Sequence, residues 1–229
     1  MFQVGFYSRY FDINTEEFLG KIVLALNPLN HSSAMAAQDE HAETELYGFL
    51  WINATLVFLM FVSSTGSNLL ALWLHSDETD ARYEYNFKLL TLSITLFYGY
   101  TALVPAAFYA LTAYYVELKE RLSMTRLISI YSYANVLWIP STVANIVLAV
   151  FVSRKTHQTV LTVLQWLFVA ASAVLSGLSI VWKVRPIIQE NLANGNEEQA
   201  KKAKVLVGVL IAVHFIFAVV IKVCFFGIA

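Results

Sequence analysis

The sequence predicts an all-α fold: a polytopic membrane helix bundle with five transmembrane helices and a short cytosolic N-terminal tail that contains an amphipathic helix. Three observations carry this. Of 229 residues, 58% are hydrophobic and 14% charged, with a mean hydropathy of +0.61. A soluble domain carries charge on about a quarter of its residues and is apolar on about half. The charges are also segregated, since no Asp, Glu, Lys or Arg occurs in 46–74, 89–116, 127–153, 156–182 or 205–221. A bilayer crossing needs about 20 apolar residues at roughly 1.5 Å each. Four of these runs exceed that, and the fifth reaches it by continuing past Lys222, whose long stem can carry its charge to the interface. The expected spans are 46–74, 89–115, 127–152, 159–182 and 205–227. They form one membrane domain, 46–229, behind a tail of residues 1–45.

The tail opens with an aromatic stretch and then reads "NTEEFLGKIVLALNP". Asn14 or Thr15 is placed to cap a helix near 15–26, Glu16 and Glu17 suit its positive end, and Pro28 follows its close. Phe18, Ile22 and Leu26 share one face, with Leu19 and Val23 beside it. Such a helix lies on the bilayer, packs against the spans or docks a partner. "NHSSAMAAQDEHAETE" then forms a polar, acidic linker.

The first span has a small, polar second half from Ser63 to Asn68, which favours close helix packing. "HSDETDARYEYNFK" is an acidic connection. The second span holds Pro105 and the third Pro140. Each proline frees a carbonyl and is expected to kink its helix. Short links at 117–126 and 153–158 make spans two to four antiparallel neighbours. The link 183–204 is polar and is expected to be mobile. With no basic leader followed by an apolar core, the first span is expected to act as the insertion signal.

Lysine and arginine set the orientation. Arg9, Lys21, Lys119, Arg121, Arg126, Lys183, Arg185, Lys201, Lys202 and Lys204 fall on the side of the N-terminus. Arg82, Lys88, Arg154 and Lys155 fall on the other. The N-terminus is therefore expected in the cytosol and the C-terminus in the lumen. Asn53-Ala54-Thr55 spells a glycosylation acceptor, but it sits inside the first charge-free run, as Asn30 sits in the cytosolic tail. Neither is expected to carry a glycan.

Little in the chain suggests catalysis. No Asp or Glu lies within a span, where ionisable groups mark function. His214, in the fifth span, reads as a neutral hydrogen-bonding partner, and the other histidines lack the spacing of a zinc site. No phosphate loop, HExxH or nucleophile motif occurs. The single cysteine, Cys224, cannot form an internal disulfide, and a net charge of −1 gives no pull toward nucleic acid. Neither enzyme activity nor a cofactor or metal is expected.

What remains is a set of tyrosine blocks. "FYGYTALVP" places Tyr98, Gly99 and Tyr100 five to seven residues before Pro105, and "YSYANVLWIP" repeats the idea with Tyr131, Tyr133 and Pro140. Gly99 would allow a close helix contact, and the tyrosines bring broad apolar faces with hydroxyls that need partners.

With Glu45-Leu46-Tyr47-Gly48 before the first span, these residues resemble the Yip-domain family, five-span membrane proteins of the endoplasmic reticulum and Golgi that interact with Rab-type GTPases. The family motif Asp-Leu-Tyr-Gly-Pro corresponds to Glu45–Phe49, with Glu for Asp and Phe49 for Pro. Tyr-Gly-Tyr and its following proline are intact at Tyr98–Tyr100 and Pro105. "YSYANVLWIP" resembles the third-span segment, and "FYSRYFDINTEEFLGKI" the aromatic stretch before the membrane domain. The resemblance runs from about Tyr7 into the third span.

It implies a non-enzymatic trafficking factor of Golgi, ER or endosomal membranes, working in vesicle-mediated transport. Its partners would be Rab-type GTPases, other Yip-type membrane proteins in a hetero-oligomer, and the lipid bilayer. Tyr7, Tyr10 and Phe11 would be tail contacts. Glu45, Leu46, Tyr47 and Gly48 would fix tail to bundle. Tyr98, Gly99, Tyr100, Pro105, Tyr131, Tyr133 and Pro140 would shape the bundle. An alternative class is a passive channel or lipid scramblase with a polar groove in spans one to three.

Overall fold

The computed structural model describes residues 4–26, 45–75, 87–116, 118, 122–151, 154–192 and 197–225. The polar linker after Leu26, with Asn30, and the acidic connection after His75 lie outside them. Everything described is helical but for short turns. Helix α1 is Val4–Ser8 and α2 is Thr15–Leu26. Asn14 caps α2, its Oδ1 accepting from the Glu17 N–H at 2.8 Å. The bundle consists of α3 (Tyr47–His75), α4 (Phe87–Tyr115), α5 (Met124–Ala134), α6 (Trp138–Phe151), α7 (Arg154–Asn191) and α8 (Glu197–Phe225).

Among the described residues, three helices are long and apolar enough to cross a membrane. They are α4, α7 between Thr159 and Gln189, and α8. Tyr47–Ser63 of α3 is a shorter apolar stretch. The five crossings expected from the charge-free runs are therefore represented by three that meet the requirement outright. This is a multi-pass membrane protein.

The third run, 127–152, departs most from expectation. A 3₁₀ turn at Asn135–Leu137 lies between α5 and α6, so two helices joined through a tightened turn carry this run rather than one regular α-helix. Pro140 accounts for it: it has no N–H for the Val136 carbonyl, and its ring crowds that group. The chain tightens ahead of the proline and restarts at Trp138, leaving Pro140 in a first turn where its N–H is not missed. Ser172 of α7 donates to the Leu137 carbonyl at 2.8 Å. Pro105 sits inside α4 without interrupting it.

The expected mobile link 183–204 is also mostly helix, since α7 runs through Asn191 and α8 begins at Glu197. An antiparallel bridge between Leu118 and Leu192 ties it to the link between α4 and α5.

Helix α3 packs on α4 and α6, α4 also on α5 and α8, and α7 on α5, α6 and α8. The core centres on buried Leu56, Met60, Phe97, Tyr131, Trp138 and Phe217. Phe217 stacks on Tyr100 with centroids 3.7 Å apart and takes Phe97 and Trp138 edge-on. Large apolar side chains such as Leu103, Leu167 and Phe215 point outward, as a hydrocarbon solvent allows. Lys222 is buried, its ammonium 5.2 Å from the centre of the Trp166 ring, rather than extended to the interface.

Candidate functional site

Two features stand out: a junction that binds the tail to the bundle, and a polar core at mid-bundle. At the junction, the first N–H groups of α3 have no partner within the helix. The buried Glu45 carboxylate supplies one, its Oε2 accepting from the Tyr47 N–H at 2.9 Å and the Gly48 N–H at 3.2 Å. A negative charge also suits this end of the helix dipole. Its Oε1 lies 3.5 Å from Lys21 Nζ of α2, which also pairs with Glu17 at 3.2 Å.

The next residues add to the joint. The Leu46 N–H donates to the Tyr10 carbonyl at 2.6 Å. Tyr47 meets Phe18 edge-on at 4.9 Å. Gly48 lies against the Tyr133 ring, where a Cβ would come within 3.1 Å of two ring carbons. Only a glycine admits that approach without displacing the ring. Phe49, where the resembled motif has proline, packs edge-on to Tyr98 at 5.4 Å, and the Tyr98 hydroxyl donates to the Leu50 carbonyl at 2.7 Å. The phenylalanine thus joins α3 to α4.

Tyr7 and Phe11 are exposed and Tyr10 is half-buried, with Arg9 Nη2 donating to its hydroxyl at 2.8 Å. The structure therefore brings Glu45–Gly48, Tyr10 and Tyr133 together and leaves Tyr7 and Phe11 on the surface.

The polar core consists of two knots carried by adjacent residues of α4. On one side Thr101 meets Asn53 of α3 and Asn135 of the 3₁₀ turn, all of them buried. Asn135 Nδ2 donates to Asn53 Oδ1 and to Thr101 Oγ1, each at 2.9 Å. Thr101 donates to the Phe97 carbonyl at 2.6 Å, and Asn53 Nδ2 to the Phe49 carbonyl at 2.9 Å. Asn53 is the sequon residue, and its amide is spent on helix contacts at 0% exposure. No glycan can be attached to it in this fold.

On the other side, Tyr100 Oη lies 2.6 Å from His214 Nδ1 of α8. His214 Nε2 lies 3.0 Å from the Ala173 carbonyl and 3.0 Å from Ser176 Oγ of α7. A carbonyl only accepts, so Nε2 carries the hydrogen, and in the neutral ring Nδ1 accepts from Tyr100. Ser176 donates to the Ser172 carbonyl at 2.6 Å. The serine–imidazole contact therefore lacks the free Nε2 lone pair that activating a nucleophile requires. A third contact ties α6 to α7, where the Ser141 and Ser172 hydroxyls touch and Ser141 donates to the Phe168 carbonyl at 3.0 Å.

Of the residues expected to shape the bundle, Tyr100, Pro105, Tyr131 and Tyr133 are buried, Tyr98 is half-buried and Pro140 is exposed. Gly99 corrects an expectation: a Cβ there would meet nothing within 4 Å. The close approaches are at Gly48 and at Gly177, where a Cβ would stand 2.9 Å from His214 Cδ2. Asn53, Asn135 and Ser176 went unremarked as a set, although an amide in a charge-free run must find a partner. Among the described residues, no three His, Cys, Asp or Glu side chains cluster to hold a metal.

Comparison with curated proteins finds relatives along nearly the whole chain. Over 231 residues, spanning 96% of this chain and 69% of the relative, the sequence is 29% identical to Protein YIP5 of Saccharomyces cerevisiae. It is 22% identical over 226 residues to the Protein YIPF1 homolog of Dictyostelium discoideum, covering 99% of this chain and 56% of that relative. The chain is similar to Yip-type proteins over nearly its whole length. It thus spans little more than half the length of the second Yip-type relative. No family model matches the chain, and no solved structure matches it.

Proposed function

We propose that this chain is a non-enzymatic membrane-trafficking factor of the Golgi and ER system. In this reading it binds Rab-type GTPases, other Yip-type membrane proteins, or both, with its N-terminus in the cytosol and its C-terminus in the lumen. The Yip-type relatives support a trafficking role. The observation that carries the reading is the junction, which fixes an aromatic tail rigidly to a membrane bundle. Tyr7 and Phe11 are exposed on that tail, and fixing it in advance lowers the entropic cost of binding a partner. Near the ends of α4 and α8 a cleft of about 360 Å³, lined by Tyr109, Thr112, Tyr115, Leu122, Gln199 and Lys202, adds surface beside the 117–126 and 183–204 segments.

The polar groups of the first three bundle segments support packing over conduction, because Asn53, Thr101 and Asn135 bond to one another and to backbone. Co-purification of the full chain from mild detergent tests the proposal. Recovery of a Yip-type protein or a Rab-type GTPase is expected, reduced at least several-fold by Tyr7→Ala with Phe11→Ala. Recovery of neither partner would overturn it.

A further inference from the structure

Helix α2 was expected on the membrane surface or against the spans, and contacts within the bundle fix its depth. In α8 the expected span is 205–227, and His214 lies two residues from its centre. Tyr100 and Ser176 touch His214, so they mark the same level in α4 and α7. Tyr131 packs on Tyr100 at 5.5 Å, and Asn135 bonds Thr101. Tyr133, between Tyr131 and Asn135, therefore sits within about one helical turn, roughly 5 Å, of the bundle's mid-level.

Helix α2 is held against that residue. Phe18 lies 6.2 Å from the Tyr133 ring and Lys21 Nζ 5.9 Å from it, and α2 packs on both α5 and the 3₁₀ turn. The hydrocarbon half-thickness of a bilayer is about 15 Å, so this level is far inside it.

The side chains are distributed as such a depth requires. Phe18, Ile22 and Ala25 turn toward the bundle. Lys21 also turns inward, its side chain only 19% exposed between Glu17 and Glu45. A charge at membrane depth needs that pairing and shielding. The outward face carries Leu19, Val23 and Leu26, at 53%, 65% and 44% exposure. On α3, Leu50, Trp51 and Phe58 are likewise exposed apolar side chains.

We propose that α2 is sunk in one leaflet, on the side from which α3 starts, and that acyl chains cover Leu19, Val23 and Leu26. The tail then enters the bilayer and leaves it without crossing, a wedge that occupies one leaflet only. The Lys21–Glu45 pair makes this entry tolerable, since it neutralises the lysine and caps α3 below the headgroups. This inference does not depend on any GTPase or Yip-type partner and survives the failure of the trafficking proposal.

The test uses the full chain with Cys224→Ser, reconstituted in phosphatidylcholine vesicles. Single reporters are placed at Leu19→Cys and Val23→Cys and labelled with an environment-sensitive fluorophore. Glu198→Cys, in the charged first turn of α8, is the surface reference. Each variant replaces one exposed side chain, and only samples that elute as the parent does are measured. Lipids carrying a quencher deep in the acyl chain or at the headgroup then report depth. The expected result is at least two-fold stronger quenching from the deep position at Leu19 and Val23, and the reverse at Glu198. Stronger quenching from the headgroup at Leu19 and Val23 would place α2 at the surface and overturn the proposal. Weak quenching from both depths would mean that protein covers the strip, and would overturn it equally.

Discussion

Tyr100 and Thr101 are neighbours in sequence and serve opposite sides of α4. Thr101 joins α4 to α3 and the 3₁₀ turn through two asparagines, whereas Tyr100 joins it to α7 and α8 through one imidazole. The amide knot is made of small groups that share donors. The imidazole knot is a ring pinned at both nitrogens, with Gly177 pressed against its edge and Phe217 stacked on its tyrosine. In a bilayer the hydrophobic effect gives helices no reason to associate, so packing and interhelical hydrogen bonds must hold them. The first knot leans on hydrogen bonds and the second on steric fit, and the two should fail differently.

The imidazole knot should be the more fragile. In Gly177→Ala the new Cβ would stand 2.9 Å from His214 Cδ2. The ring cannot swing aside without losing Tyr100 on one nitrogen or the Ala173 carbonyl on the other. Overpacking of this kind costs about 1–3 kcal/mol. SDS-titrated unfolding of the reconstituted chain should show a loss near the top of that range. A loss below about 0.5 kcal/mol would mean the ring has room to move.

The amide knot should yield less. Asn135→Leu keeps roughly the volume but removes the donor shared by Asn53 and Thr101. Interhelical hydrogen bonds in membranes average about 0.6 kcal/mol and reach about 1.7. The expected loss is about 1–2 kcal/mol in the same unfolding assay. A cycle with Asn53→Leu sharpens the comparison, because removing both partners can cost little more than removing one. Additive losses would show that the amides act independently and that there is no knot.

How much of this was legible depends on which interaction is read. The charge-free runs announced a membrane bundle, because excluding charge from hydrocarbon acts on every residue of a span. Glu45 came forward as a junction only through the family resemblance, although a carboxylate ahead of an apolar helix suits the positive end of its dipole. The break at Asn135–Leu137 was not, although Pro140 was in plain view: a proline's effect lies upstream, and whether the helix bends or restarts depends on a rescuer such as Ser172 from another helix. The knots were hidden for a related reason. Asn53 looked like a stray sequon residue, since its partners lie 48 and 82 positions away. Nothing local distinguishes an amide that is satisfied in space from one that is not.

Gly99 is where a local reading misled, and it supplies the mildest prediction. A glycine between two tyrosines in a span suggests a close helix contact, yet the space beside Gly99 is open for 4 Å. The tyrosines do the contacting: Tyr98 reaches α3 and Tyr100 reaches α8, so the glycine between them meets neither helix. Adding a methyl there should clash with nothing and should gain helix propensity, which favours alanine over glycine by at most about 1 kcal/mol. Gly99→Ala should therefore be neutral or slightly stabilising in the same assay in which Gly177→Ala is damaging. A clear destabilisation by Gly99→Ala would mean that something outside this chain, a partner span or an ordered lipid, lies against α4 at the level of the two knots.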